Sequence, residues 1–346
     1  YEAGKKNPEI ETYFDFDNQE GILRLAEKCS GSGDCRKTET TGGTMCPSYM
    51  ATRLEKDTTR ARANVLREFL TNSDKENRFD HEEIKEVMDL CLSCKGCKSE
   101  CPSKVDVGKM KAEFLQHYYD EHGVPFRTKM IGNFTKSQEL ASYFPRLYNF
   151  FATNSFTSKI TKSILGFAQE RTIPLLGKTT LRKWQEDRIN IQKKREKNSI
   201  HLSAGVLGKR RPQGKVYLFC DEFTNYNDVE IGQKAIHLLT ALGYEVHIPK
   251  HIESGRTYLS KGLVKDAQRI AIQNVRLLVE AIKDNSPILG IEPSAILTLR
   301  DEYLELVPNY LHADAERVAE NCYLIDEFLA QEIDKKKITK DLFTKE

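Results

Sequence analysis

Cys91, Cys94, Cys97 and Cys101, with Pro102 behind them, form a Cys-x2-Cys-x2-Cys-x3-Cys-Pro run. Thiolates at that spacing hold a cube of iron and sulfide. Reach explains the pattern: three thiolates within a few residues wrap one face of a cube, while the fourth lies too far round and ligates a neighbouring cluster. Pro102 turns the chain away, and Gly96 lets backbone amides approach the sulfides, where hydrogen bonds raise the reduction potential. Zinc is the competing metal. Structural zinc sites usually pair two Cys-x2-Cys knuckles across a longer stretch, so a triple knuckle closed by Cys-Pro favours iron and sulfide.

The chain has nine cysteines, and seven of them crowd between Cys29 and Cys101. Clustering of that kind argues for metal rather than for disulfides. The upstream set is Cys29-x5-Cys35-x10-Cys46-Pro47, and Cys46-Pro47 repeats Cys101-Pro102. Aligned backward, Cys29 and Cys35 occupy the first and third ligand positions, and Ser32 stands at the second. Cross-ligation, as in two-cluster bacterial ferredoxins, then predicts one complete 4Fe–4S site from Cys91, Cys94, Cys97 and the remote Cys46. The second site has Cys29, Cys35 and Cys101. Three thiolates can hold a 3Fe–4S cluster, or a 4Fe–4S cluster whose last iron takes Ser32, water or another oxygen; the site can also be empty. In a further arrangement all four of Cys91, Cys94, Cys97 and Cys101 bind one cluster, which leaves Cys46-Pro47 without a purpose.

These motifs need elements to carry them. Apolar spacing predicts helices over Gln19–Cys29, Thr58–Leu70 and His81–Leu90, the last delivering the chain into Cys91. From Lys111 to about Trp184 there are no cysteines but many aromatics, including Phe114, Tyr143, Phe144, Phe150 and Phe151, with Pro125, Pro145 and Pro174 as breakers. Several short helices wrapping the cluster domain are expected, with the aromatics as core and a quinone or flavin contact as the sharper alternative. Arg182–Lys215 carries eleven basic and three acidic residues. It reads as a solvated linker, or else as a dock for an acidic partner, and it lacks the interleaved aromatics that stack nucleic-acid bases.

After Gly214 the pattern becomes strand and helix in alternation. Val216–Cys220, Tyr244–Pro249 and Pro287–Ile291 read as strands; Val229–Leu242, Leu263–Lys283, Ser294–Leu306 and His312–Ile333 read as helices. The fold class is therefore α plus α/β: a helical ferredoxin-like domain followed by a parallel sheet covered on both faces. The expected divisions are residues 1–110 for the clusters, 111–212 for a helical wrap and basic linker, and 213–346 for the α/β domain.

The stretches around Cys29–Lys37, Gly43–Arg53 and Leu90–Pro102 resemble the C-terminal half of large FAD-linked 2-hydroxyacid dehydrogenases, whose last domain is like that of heterodisulfide reductase and glycolate oxidase iron–sulfur subunits. The resemblance covers essentially the whole chain. It implies a two-cluster ferredoxin domain followed by a cysteine-rich domain with a repeat of Cys, then Cys-Cys-Gly, then Cys-x-x-Cys. Cys220 fits the first position, but Glu253 and Ser254 stand where Cys-Cys would be, and Glu292-Pro-Ser-Ala295 ends in Ala. One thiolate cannot hold a metal, so this domain is expected to keep the fold without a cluster. Cys220 and Cys322 read as buried apolar thiols. Gly255, Arg256 and Glu292, near strand ends, read as turn and salt-bridge residues or as the lining of a crevice for a small anion or quinone.

The resemblance further implies FAD on a missing N-terminal half or on a flavoprotein subunit. That flavin would oxidise a 2-hydroxy acid such as D-lactate, glycolate or 2-hydroxyglutarate, and single electrons would pass through the clusters to a quinone or carrier protein. This chain alone would then lack the substrate-oxidising site, and Tyr1 in place of an initiating Met fits a processed chain or excised fragment. Arg36, Lys37, Lys95 and Lys98 are expected to offset the anionic cluster–thiolate unit and raise its potential. A formal charge of +2 gives no global field toward nucleic acid or membrane. No apolar run approaches the ~20 residues needed to span a bilayer. The chain is expected to be cytoplasmic, with any inner-membrane association made through a partner. A zinc-stabilised interaction module without redox activity is the competing class.

Overall fold

A computed structural model describes residues 8–198 and 213–342. The chain forms two compact units, Tyr1–Gly132 with Thr257–Gln268, and Asn133–Arg256 with Arg269–Glu346.

The first unit is helical. Thr58 starts the Thr59–Asn72 helix by accepting the Ala61 N–H on its side chain at 3.0 Å. That helix buries Thr59, Arg62, Ala63, Leu66 and Leu70, a stripe at three- and four-residue steps. Asp106 caps the Val107–His122 helix through the Lys109 N–H at 3.0 Å. Met110 and Phe114 are fully buried there, each side chain contributing about 2 kcal/mol by leaving water. The N-terminal segment is tied down by Glu113, which accepts the N–H groups of Tyr13 at 2.7 Å and Phe14 at 3.0 Å.

The second unit holds four parallel strands: β1 (Gly214–Phe219), β2 (Tyr244–His247), β3 (Ile288–Gly290) and β4 (Cys322–Leu324), in the order β2-β1-β3-β4. Val216 pairs with Val246, Leu218 with Leu289, and Leu289 with Tyr323. Val216, Leu218, Ile236, Leu239, Val246 and Leu289 meet in its core. Gly290 is required at the end of β3, because a Cβ there would stand 2.3 Å from Cβ of Ile296 on the covering helix.

The α plus α/β fold class is as expected, with four differences in detail. The final expected helix is two helices, His312–Glu320 and Ile325–Asp334, with β4 between them. Ser294–Leu306 is likewise broken at Asp301 into Pro293–Arg300 and Glu302–Leu306. Leu181–Asn198, in the basic stretch, is a helix rather than a connector, because Leu181 and Trp184 pack on the sheet's core; residues 199–212 lie outside the described residues. Finally, Tyr143, Phe144, Phe150 and Phe151 are exposed, not core, while Phe114 is buried.

Candidate iron–sulfur site

The four cysteines expected at the complete site line one cavity. Its walls are Cys46, Cys91, Cys94 and Cys97 together with Pro47, Ser48, Thr59, Arg62, Ser93, Lys95, Val107 and Gly108. All nine cysteines are free thiols, so none of these four is spent in a disulfide.

Local structure explains the convergence. The Glu82–Asp89 helix, anchored by the fully buried Ile84 and Met88, ends where the Cys91 N–H donates to the Met88 carbonyl at 3.0 Å. Ser93 and Lys95 then adopt left-handed backbone with φ of 52° and 60°, so the loop reverses twice between Cys91 and Cys97. Lys95 precedes the short Gly96–Glu100 helix that carries Cys97. Cys46 is itself left-handed at φ 57° and starts the Pro47–Thr52 helix, with Pro47 at its first position.

The remote Cys46 is brought in by two devices. Its sulfur receives the Thr59 N–H at 3.0 Å and lies 2.8 Å from the Thr59 hydroxyl, at the start of the Thr59–Asn72 helix. Donors at a helix start favour a thiolate. Glu100 ties the same loop to the cysteine run, accepting from the Thr44 N–H at 2.7 Å, the Thr44 hydroxyl at 2.6 Å and the Met45 N–H at 3.2 Å. Those bonds, from Thr44 above all, hold the Glu100 carboxyl down at about 2. Gly96 also permits this approach: a Cβ on it would come within 3.3 Å of the Met45 Cα.

Burial, then the nearby Asp106, pushes the Cys97 thiol up to about 12, and burial also raises Cys46. Such thiols give up their protons to a metal rather than to water. The residues present therefore fit a thiolate-bound cluster: four cysteines lining one cavity, two of them buried, with N–H donors aimed at Cys46 and Cys97. Among the described residues no group of three or more His, Cys, Asp or Glu side chains is placed to hold a single metal ion.

The second set is only partly assembled. Ser30 and Ser103, neighbours of Cys29 and Cys101, have their hydroxyls 3.2 Å apart, so those two loops meet. Cys35 is buried, and its charge would oppose ionisation of Cys46. Ser32 engages Asp34 at 3.1 Å. The four expected cations are paired with carboxylates: Arg36 with Glu55 at 3.6 Å, Lys37 with Glu100 at 3.3 Å, and Lys95 and Lys98 with Asp106 at 3.7 and 3.8 Å.

Two buried cations escaped the sequence reading. Arg62 lines the cavity at 2% exposure, donating to the Val87 carbonyl at 2.7 Å and Ser48 Oγ at 3.0 Å, with the buried Asp57 carboxylate 3.7 Å away. Lys111 donates to the backbone carbonyls of Cys91 at 2.6 Å and Asp89 at 3.1 Å. The available signal was an Arg and a Lys on the apolar stripes of their helices, where a charge is costly unless it has work to do.

In the second unit, the ends of β1 and β2 carry a closed polar network. The Cys220 N–H donates to His251 Nε2 at 3.1 Å, Arg182 lies 2.7 Å from the same nitrogen, and His251 Nδ1 reaches the Ile252 carbonyl at 2.7 Å. Burial and then Arg182 push His251 down to about 3, so the ring is neutral and its proton sits on Nδ1. Glu222 accepts from Ser254 N–H at 3.0 Å and Oγ at 2.7 Å, and Asp221 caps the next helix. Arg256 pairs with the buried Glu302 at 2.9 Å, and Glu292 caps the Pro293–Arg300 helix. Cys220 and Cys322 are both buried, but the pairing register separates them by two strands and three residues, roughly 14 Å.

A helical unit whose cysteines line one cavity, followed in the same chain by a parallel-sheet unit, has the make-up of an iron–sulfur electron-transfer protein. Residues 28–106 match the family model of a 4Fe-4S dicluster domain. The chain is 25% identical over 345 residues to D-2-hydroxyglutarate dehydrogenase of Escherichia coli K12, covering 90% of this chain and 32% of that protein. It is also 25% identical over 313 residues to D-2-hydroxyglutarate dehydrogenase of Haemophilus influenzae. To one subunit of the anaerobic glycerol-3-phosphate dehydrogenase of E. coli K12 it is 23% identical over 238 residues, 68% of this chain and 54% of that protein. The chain spans about a third of the length of the D-2-hydroxyglutarate dehydrogenases it matches. No solved structure matches it.

Proposed function

We propose that the chain is the electron-relaying portion of an FAD-linked dehydrogenase that oxidises a 2-hydroxy acid and delivers electrons to a quinone or carrier protein. Cys46, Cys91, Cys94 and Cys97 are the ligands of a 4Fe–4S cluster, and Cys29, Cys35 and Cys101 those of a second, 3Fe–4S or 4Fe–4S. Residues 1–110 hold the clusters and 213–346 keep the α/β frame without a cluster, and the helix Leu181–Asn198 belongs to that frame. The flavin belongs to a partner domain or subunit. The carrying observation is that the remote Cys46 lines the same cavity as Cys91, Cys94 and Cys97.

When bound, such a cluster supplies one-electron transfer at a potential set by its surroundings. The protein's part is to fix four sulfurs, to donate N–H groups to Cys46 and Cys97, and to hold Arg62 in the cavity wall, where its charge favours the more negative, reduced state. The Lys111 ammonium fixes the carbonyl end of Cys91. Anaerobic reconstitution with iron and sulfide, read by visible absorbance and by metal analysis, tests the reading. A brown protein bleached by dithionite supports it, and a colourless protein replete with zinc overturns it.

A further inference from the structure

The helices Pro145–Thr153 and Ser155–Leu165 form a hairpin that packs almost nothing away. The first buries no residue, and the second buries only Ser158. Yet Phe156, Ile160 and Ile164, one stripe at four-residue steps, are 72%, 46% and 66% exposed. Phe144, capping the first helix, and Leu147 and Phe151 within it form a second stripe at three- and four-residue steps, 70%, 56% and 48% exposed. Apolar stripes this exposed on a polar chain mark a surface that something else covers.

The hairpin is built to present that face. Asn154 is its only joint: its N–H closes the first helix on the Phe150 carbonyl at 2.9 Å, and its side chain caps the second through Phe156 and Thr157 N–H at 3.1 and 3.2 Å. The Thr157 hydroxyl returns to the Phe151 carbonyl at 2.7 Å.

Charge identifies the occupant. From Leu140 to Gln169 there is no Asp or Glu, although charged residues make up 30% of the chain, and the segment carries Arg146, Lys159 and Lys162. Two copies docked face to face would bring these cations together with no acid in the segment to answer them. Helices of nine and eleven residues cannot span a bilayer, which requires ~20. Short amphipathic helices with a basic rim and an aromatic face lie in the plane of an anionic membrane, rings at the headgroup level. We propose that this hairpin docks the chain directly onto an anionic lipid surface.

Flotation of the reconstituted chain with vesicles of phosphatidylcholine, alone or mixed with phosphatidylglycerol, tests this. The chain is expected to rise with the mixed vesicles, and added salt should release it. Phe144→Ser/Phe156→Ser should abolish binding, and Lys159→Ala/Lys162→Ala should weaken it about thirtyfold, roughly fivefold per lysine. The altered side chains are exposed except for the half-buried Lys162, which donates to the Gln169 carbonyl at 2.9 Å, and an unchanged thermal transition for each variant confirms its fold. A folded chain that stays at the bottom with either vesicle, or a serine variant that still floats, overturns the proposal. So does a dimer in sedimentation that the serine variant dissolves while vesicles bind neither. Because flotation does not involve the thiols, its failure would leave the cluster reading standing, and failure of the clusters would leave this one standing.

Discussion

Cys97 in the helical unit and Cys220 in the sheet unit are both buried thiols, and burial pushes each up to about 12. Their neighbours differ. Cys97 faces a cavity shared with three other cysteines, walled by a buried arginine and by backbone N–H groups. Cys220 is followed by Asp221 and Glu222, its N–H is taken by His251, Asp221 accepts from the Thr224 N–H and Glu222 from the Ser254 N–H. A buried thiol by itself is therefore no sign of a metal site. What marks one is convergence of several sulfurs on space left open for something else.

The sharpest way to break this contrast is to exchange cysteine for serine in both places. Cys97→Ser should cost the iron of one cluster, whereas Cys220→Ser should leave the iron content unchanged; metal analysis after reconstitution reads both. If Cys220→Ser also lost iron, the second unit would not be the cluster-free frame described here.

The next effect is on stability. Arg62→Met leaves Asp57 buried without its cation, and stability in urea should fall by about 3 kcal/mol. Glu222→Gln keeps one oxygen for the Ser254 N–H and turns its new NH2 to the Ser254 hydroxyl, which can accept, so it should cost about 1 kcal/mol. Equal costs would mean that the charge at the cavity wall carries no special weight.

A smaller effect is pH-dependent. His251 is held near 3 when folded but takes a proton near 6.5 when unfolded, so the unfolded chain binds the extra proton and stability falls as pH drops below 6.5. At pH 5 the loss from this group is about 2 kcal/mol. Asp221, raised to about 6 by burial, titrates with the opposite sign in the same range. The His251 contribution is therefore read as the difference between the original chain and His251→Gln, which should narrow from pH 7 to pH 5. A constant difference would mean that folding leaves the ring's titration unshifted.

Much of this was readable in the residues. Cys-x2-Cys-x2-Cys and the repeated Cys-Pro located the cavity, because ligand spacing is short-range and survives any arrangement of the rest. Strands β1 to β3 announced themselves as buried runs between helices. Cys322–Leu324 did not, since three residues are too few to show a strand period, and the pairing with β3 that makes it a strand lies far away in sequence. The exposed aromatics were misread for a related reason: composition says that a phenylalanine prefers burial but not which surface supplies it. Arg62, Lys111 and Glu100 act through contacts 20 to 56 residues away, beyond what helical periodicity can reveal.

The most direct test is Cys46→Ser examined beside the original chain by iron and sulfide analysis and by low-temperature EPR of the dithionite-reduced protein. The account predicts that the variant loses the iron and the reduced-state signal of one cluster, because that sulfur closes the site begun by Cys91, Cys94 and Cys97. Full iron and an unaltered spectrum in the variant would contradict it, and would assign the cluster to Cys91, Cys94, Cys97 and Cys101 instead.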